Sequence, residues 1–199
     1  MAGTFPISNS KFSTMGIRTS QDTIITITDS GKKLSRQIDG QRFGFTAQII
    51  TAKRSDVYGE LMAFIMKQRS SRENFTIVPP EIEDARGTAS GTPNGTASAG
   101  AVSITIGGSA TGTLKAGDFI KFSNHSKVYM VVEDQNDIST GTLTIEPPLI
   151  TAVSSTDIQY DNVPFTVYLT NDIQEFGIVG ADKDGNALYQ FEIDVEEAL

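Results

Sequence analysis

Residues 42–50 have the sequence RFGFTAQII, in which every second residue from Phe43 to Ile49 is apolar. A period of two places these side chains on one face of a strand, so we expect one buried and one solvated face. Residues 22–30 (DTIITITDS), 163–169 (VPFTVYL) and 188–195 (LYQFEIDV) alternate in a similar way. The sequence therefore predicts a mainly β protein, with the acidic side chains of its last strand facing outward and Glu196 and Glu197 solvated.

One segment has helical periodicity instead. Residues 54–71, RSDVYGELMAFIMKQRSS, contain a stripe at helical spacing, which predicts a helix that packs against a sheet. The stripe consists of Val57, Leu61, Phe64, Ile65 and Gln68. Ser55 is placed to cap the start of this helix. Met62 and Met66 either extend the packed face or contact a neighbouring subunit.

Two similar phrases, TIVPPEI at 76–82 and TIEPPLI at 144–150, are strand endings rather than an internal repeat, because the residues around them do not match. Residues 85–101, ARGTASGTPNGTASAGA, form either a flexible connection or a glycine-broken strand. Short strands with Gly, Asn and Asp turns follow, as in a small barrel or sandwich. We therefore predict one β domain from residues 1–84 plus 162–199, into which a small β domain of residues 85–161 is inserted.

Composition limits the sources of stability and the compartment. The 199 residues contain no cysteine, which excludes disulfides and thiolate metal sites. The first residues, MAGTFPISNSKF, lack a basic start followed by an apolar run, and no window approaches 18 consecutive apolar residues. We expect a soluble, non-secreted protein that has no membrane partner.

The net charge of −8 is unevenly distributed along the chain. Residues 1–75 contain 11 Lys or Arg against 6 Asp or Glu, whereas residues 76–199 contain 5 against 18. The cations are scattered, without the basic helix or aromatic platform that nucleic-acid binding favours. The asymmetry is consistent either with complementary patches that stack on other proteins or with two solvated surfaces of different composition.

Residues for catalysis or for metal and cofactor binding are few. His125, the single histidine, lies in a turn-like segment, SNHSK, and is expected to be a surface or turn residue. The DKDGN segment at 182–186 fails as a calcium loop, because its glycine is misplaced and Ile193 occupies the twelfth position; a hairpin turn is predicted instead. GKKLS at 31–35 lacks the upstream glycine of a phosphate loop. We predict a non-enzyme with no cofactor.

The order of several phrases resembles that of phage tail structural proteins of the distal-tail and baseplate-hub group. The phrases are SQDTIITITDSGKKLSRQIDGQRFGFTAQI, LMAFIMKQRSSRENFTIVPPE, LKAGDFIKFSNHSKVYMVVED, NVPFTVYLTNDIQEF and LYQFEIDVEEAL. This resemblance implies a tail-tube-like β-sandwich with one flanking helix and a small inserted barrel. It also implies a homohexameric ring at the distal tail, made in the host cytoplasm and built into the virion. The ring would join the tail tube to baseplate proteins and pass DNA transiently through its lumen.

The polar segment between residues 29 and 42 is a candidate assembly contact, either as a long hairpin arm or as a loop. We expect Lys32, Lys33, Arg36 and Arg42 to meet an acidic surface on an adjoining ring or subunit. Three alternatives to the distal ring remain. They are a neck or tail-terminator ring, a carbohydrate-binding module on residues 85–161, and a tail-associated hydrolase that uses His125 or Asp118.

Overall fold

The computed structural model describes residues 3–7, 11–38 and 40–199. It is mainly β and divides into two compact units, Pro6–Asn74 with Val167–Leu199 (unit 1) and Gly3–Phe5 with Phe75–Thr166 (unit 2). The strands are β1 (Phe12–Ser20), β2 (Thr23–Ile27), β3 (Lys33–Gln37), β4 (Arg42–Lys53), β5 (Phe75–Ile77), β6 (Ser90–Ala97), β7 (Ser103–Thr111), β8 (Phe119–Phe122), β9 (Val128–Val131), β10 (Gly141–Glu146), β11 (Val153–Gln159), β12 (Phe165–Leu169), β13 (Gly177–Ala181) and β14 (Ala187–Glu197).

Unit 1 is organised around an antiparallel sheet in the order β1-β4-β14-β12, and β13 also pairs with β14. The buried face predicted for residues 22–30 is wrong, because β2 is exposed along its whole length. The alternation predicted for β4, β12 and β14 is confirmed, because alternate residues of these strands are buried on the same face. These residues are Phe43, Phe45, Ala47, Ile49, Val167, Leu169, Phe191, Ile193 and Val195. Cross-strand pairs such as Ala47 with Ile193 fix the register, since a slip by one residue would turn this apolar face to solvent.

The acidic end of β14 differs from the prediction. The side chain of Glu197 is buried, and its Oε2 accepts a hydrogen bond of 3.3 Å from the backbone N–H of Phe43. Glu196 lies beside Arg42, with 3.6 Å between Oε1 and Nη1. The expectation that both glutamates are solvated is therefore wrong for Glu197, because β14 stays paired as far as this residue, which lies opposite Val167 of β12.

The predicted helix begins with a widened π-type turn, Arg54–Tyr58, continues as α1 (Gly59–Gln68) and ends in a 3-10 turn, Ser70–Arg72. The stripe is confirmed as the packed face, with Phe64 half-buried and its other four members buried. Ser55 does not cap the helix: its hydroxyl donates to Asp56 inside the widened turn, and α1 starts after Tyr58 without a side-chain cap. Met66 is 77% exposed, so it does not extend the packed face.

Unit 2 contains a closed barrel in the strand order β10-β7-β6-β11-β8-β9. Residues 85–101 are not a flexible connection, because β6 within this segment pairs with β7 and β11. The alternative of a glycine-broken strand is correct. At Gly95 a Cβ atom would come within 2.8 Å of Phe122 and 2.9 Å of Ile104, so only glycine lets the strand approach the core this closely.

The two phenylalanines of β8 point to opposite faces of the strand. Ile120 and Phe122 belong to the barrel core, whereas Phe119 points to the other face and packs edge-to-face on Phe165, at 5.6 Å between ring centroids. β8 therefore buries one phenylalanine on each of its two faces. β5 ends two residues before Pro79 and β10 ends directly before Pro147, as the proline phrases predicted.

Candidate assembly surface

The segment between β1 and β4 forms a separate antiparallel hairpin of β2 and β3. Its turn is closed by local hydrogen bonds, since the Thr28 hydroxyl accepts from the backbone N–H of Lys32 at 3.1 Å. Of the two predicted forms, a hairpin arm or a loop, the arm is correct. An isolated two-stranded hairpin is at best marginally stable in water, so this arm is a segment that gains from contact with another surface.

The arm carries three of the four predicted contact residues. Lys32 lies in the turn, and Lys33 and Arg36 lie on β3, all with exposed side chains. Because Lys33 pairs with Ile27 and Arg36 with Ile24, these two cations project from opposite faces of the arm. Arg42 is not on the arm: it begins β4, where its guanidinium lies beside Glu196.

The arm exposes apolar side chains on both of its faces. One face carries Ile24 and Leu34, which are 53% and 49% exposed, and the other carries Ile25 and Ile27, which are 54% and 70% exposed. A contiguous exposed apolar surface is typical of a protein–protein contact. The adjacent pair Ile24-Ile25 signals this feature in the sequence, because neighbouring residues of a strand point to opposite faces. The predictions made from the sequence do not include it.

The sheet of unit 1 also has an open edge, which is formed by β1. Among the described strands, β1 pairs with β4 alone, so its other edge retains unpaired backbone groups. Ile17 lies opposite the buried Phe45 but is itself 45% exposed. Exposed strand edges next to apolar side chains are templates for pairing with another chain.

His125 is part of a hydrogen-bonded network in unit 2. Its Nε2 lies 2.8 Å from the Tyr129 hydroxyl, and its Nδ1 lies 2.6 Å from the side-chain oxygen of Asn124. The Tyr129 hydroxyl also accepts from the backbone N–H of Ile150 at 3.1 Å, so the network joins this turn to the segment before β11. Partial burial, with the nearby charges of Lys121 and Lys127, lowers the pKa of His125. This is a structural turn histidine.

Asp118, the other residue considered for catalysis, belongs to a different network. Its buried carboxylate accepts hydrogen bonds from the backbone N–H groups of Arg86 and Lys115 and from the Arg86 side chain. His125 is not among these partners. Asp118 therefore does not orient His125 as the aspartate of a Ser-His-Asp triad orients its histidine.

The acidic side chains in the described part of the chain do not gather into a metal site. No group of three or more His, Asp or Glu side chains there is arranged to hold a metal ion. The 182–186 segment is the predicted hairpin turn between β13 and β14, in which hydrogen bonds from Asn186 and Lys53 lower the pKa of Asp182. In the same described residues, no helix has both the length and the apolar character needed to cross a bilayer.

A comparison with known protein families finds a match within the unit that contains the barrel. Residues 84–163 match the family model described as distal tail protein pb9, B domain. The match confirms the resemblance to phage distal-tail structural proteins and supports a structural role in the phage tail, as a component of the virion. No curated protein sequence matches the chain.

Proposed function

We propose that this chain forms a homohexameric ring at the distal end of a phage tail, joins the tail tube to the baseplate hub and encloses the conduit for DNA. The B-domain match carries the tail role. Self-association is supported by the arm, which exposes Ile24, Ile25, Ile27 and Leu34. Closing a ring would cover such apolar surface and pair strand edges that otherwise invite aggregation.

The proposed division of labour follows the predicted domains. Residues 1–84 with 162–199 act as the tail-tube-like ring domain, and residues 85–161 act as an inserted domain that contacts other tail proteins. DNA passes through the lumen without sequence-specific contacts. In this scheme Lys32, Lys33, Arg36 and Arg42 lie at an assembly contact, where exposed cations set orientation against an acidic surface.

Charge reversal on the arm tests self-assembly. The full-length triple variant K32E/K33E/R36E is compared with K67E/R72E/K183E, which reverses three other exposed cations and changes the net charge equally. We expect sedimentation velocity and negative-stain microscopy to show rings six times the monomer mass of 21.4 kDa for the wild type and the control. The arm variant should remain a folded monomer. Normal incorporation of the arm variant into phage particles would contradict the proposal.

Immunogold electron microscopy of virions tests the position along the tail. Antibody against the recombinant chain is expected to label the tail tip. Label at the neck would favour a neck or tail-terminator ring instead. Absence of label on both intact and disrupted tails, with the protein expressed, would place it outside the particle and overturn the proposed role.

A further inference from the structure

We propose that the arm of one copy docks into an acidic groove on the sheet of the next copy. The groove is formed by the segment between β12 and β13 together with the solvent-facing side of β4 and β14. Its volume is about 410 Å³, and its walls include Ile173, Glu175, Val179 and Glu192. This inference rests on the proposed ring, and it identifies the surface that receives the arm.

The groove has a mostly polar lining that includes two exposed apolar side chains, Ile173 and Val179. Ile173 is 87% exposed and Val179 is 53% exposed, and Ile178 on the same strand, β13, is 64% exposed. Among the described strands, β13 pairs with β14 alone, so its outer edge is open to a further strand. The groove therefore offers two exposed apolar side chains and an open strand edge to an incoming hairpin.

The charges of the two surfaces are complementary. The ionisable residues that line the groove are Glu175, Glu192 and Asp194, and no Lys or Arg is among the described lining residues. Arg18 already forms an ion pair with Asp194, so Glu175 and Glu192 carry the remaining negative charge. The segment from Lys32 to Arg36 contributes three exposed cations. Charge complementarity of this kind selects one partner surface and fixes its orientation.

Within one copy the arm does not fill the groove, because the apolar side chains of both surfaces are exposed. The arm is attached where β1 ends and β4 begins, at Ser20 and Arg42. β13 runs beside the part of β14 that pairs with Ala52 and Lys53, at the other end of β4. The groove lies between these ends, and its lining residue Gln48 is six residues along β4 from Arg42, roughly 20 Å at about 3.3 Å per residue. Two different surfaces of identical chains then meet head to tail, which is the arrangement that generates rings when the rotation closes.

A charge swap in the full-length chain tests this pairing. Reversal of the arm (K32E/K33E/R36E) or of the groove (E175K/E192K) should each weaken assembly at least tenfold in sedimentation velocity. A chain that carries both sets should assemble within threefold of the wild type, because every contact then pairs a reversed arm with a reversed groove. The matched control combines K67E/R72E/K183E with the reversed groove and should not restore assembly.

The outcomes separate this inference from the proposed function. If the groove variant assembles like the wild type, or if the combined chain is not rescued, the groove is not the receiving surface, while a ring seen for the wild type still stands. If the wild type forms no ring alone or in tails, the proposed function itself fails.

Cysteine cross-linking provides a second test that does not depend on charge. Since the chain has no cysteine, disulfides in the L34C/V179C variant report only the introduced pair. Oxidation of assembled protein should give a ladder beyond dimers, whereas L34C alone cannot exceed a dimer. If V179C impairs folding, I173C replaces it at a more exposed position. If the recombinant chain stays monomeric, the pair is tested in purified tails, where a ladder supports the pairing and its absence overturns it.

Discussion

The fully buried carboxylate of Asp118 lies 3.1 Å from Nε of Arg86, whose own side chain is 61% exposed. The guanidinium therefore keeps much of its hydration, while the carboxylate depends on protein donors, including the backbone N–H of Lys115 at 2.7 Å. Asp118 thus ties Arg86, in the segment before β6, to the turn before β8. This use of a buried acid is structural.

Substitution of Asp118 by alanine should destabilise unit 2 by about 2–4 kcal/mol, because the loss of the acceptor leaves partly buried N–H donors unpaired. Asp118→Asn, which keeps one acceptor oxygen, should lose less. Urea unfolding combined with hydrogen exchange of the barrel strands measures the effect. The control is Asp134→Asn, an exposed acid that pairs with Lys115, for which little change is expected. Equal effects at the two positions would contradict the assigned role of Asp118.

Gly95→Ala should destabilise the barrel by about 1–3 kcal/mol, since the new methyl group would overlap Phe122 and Ile104 in a packed core. Gly107→Ala on the neighbouring strand is the matched control, because a Cβ there would make only an ordinary contact, 3.6 Å from Asn94. Thermal unfolding of the full-length variants provides the comparison. A neutral Gly95→Ala would show that the barrel core is looser than described here.

Stability should fall as the pH drops below about 6.5, the ordinary pKa of histidine. The pKa of His125 is lowered in the folded state, so the unfolded chain takes up its proton at a higher pH and becomes favoured. The part of this loss that is due to His125 should level off once the pH passes below its folded-state pKa. NMR titration of the single imidazole gives that pKa directly. A value above 6.5, or the same pH dependence in His125→Asn, would exclude this explanation.

Ile25→Asp with Ile27→Asp should abolish self-assembly while changing the free energy of unfolding of the monomer by less than about 0.5 kcal/mol, because both side chains are already more than half exposed. Sedimentation velocity and urea unfolding measure the two effects separately. Met66→Asp is the control, since it also places a charge at an exposed apolar position but lies on α1. If the Ile25→Asp/Ile27→Asp double variant assembles as well as the Met66→Asp control, the apolar faces of the arm are not an interface.

The sequence by itself determined the elements whose pattern is local. Alternation from Phe43 to Ile49 predicted the buried face of β4, and helical spacing predicted the packed stripe of α1, because side-chain direction follows directly from backbone periodicity. The proline phrases likewise marked the ends of β5 and β10. The mainly β class and the resemblance to tail proteins followed from these signals and from the order of the phrases.

Tertiary structure alone decided the features that depend on distant partners. β6 was ambiguous because its glycines and small polar residues have little strand preference of their own; pairing with β7 and β11 makes it a strand of the barrel. Glu197 resembles an exposed residue in sequence, and its burial follows from its pairing with Val167 of β12 and its hydrogen bond to Phe43 of β4. The exposure of Ile25 is the converse case. Its pattern favours burial, but the described fold provides no surface to cover it, since burial depends on which surfaces the completed fold brings together.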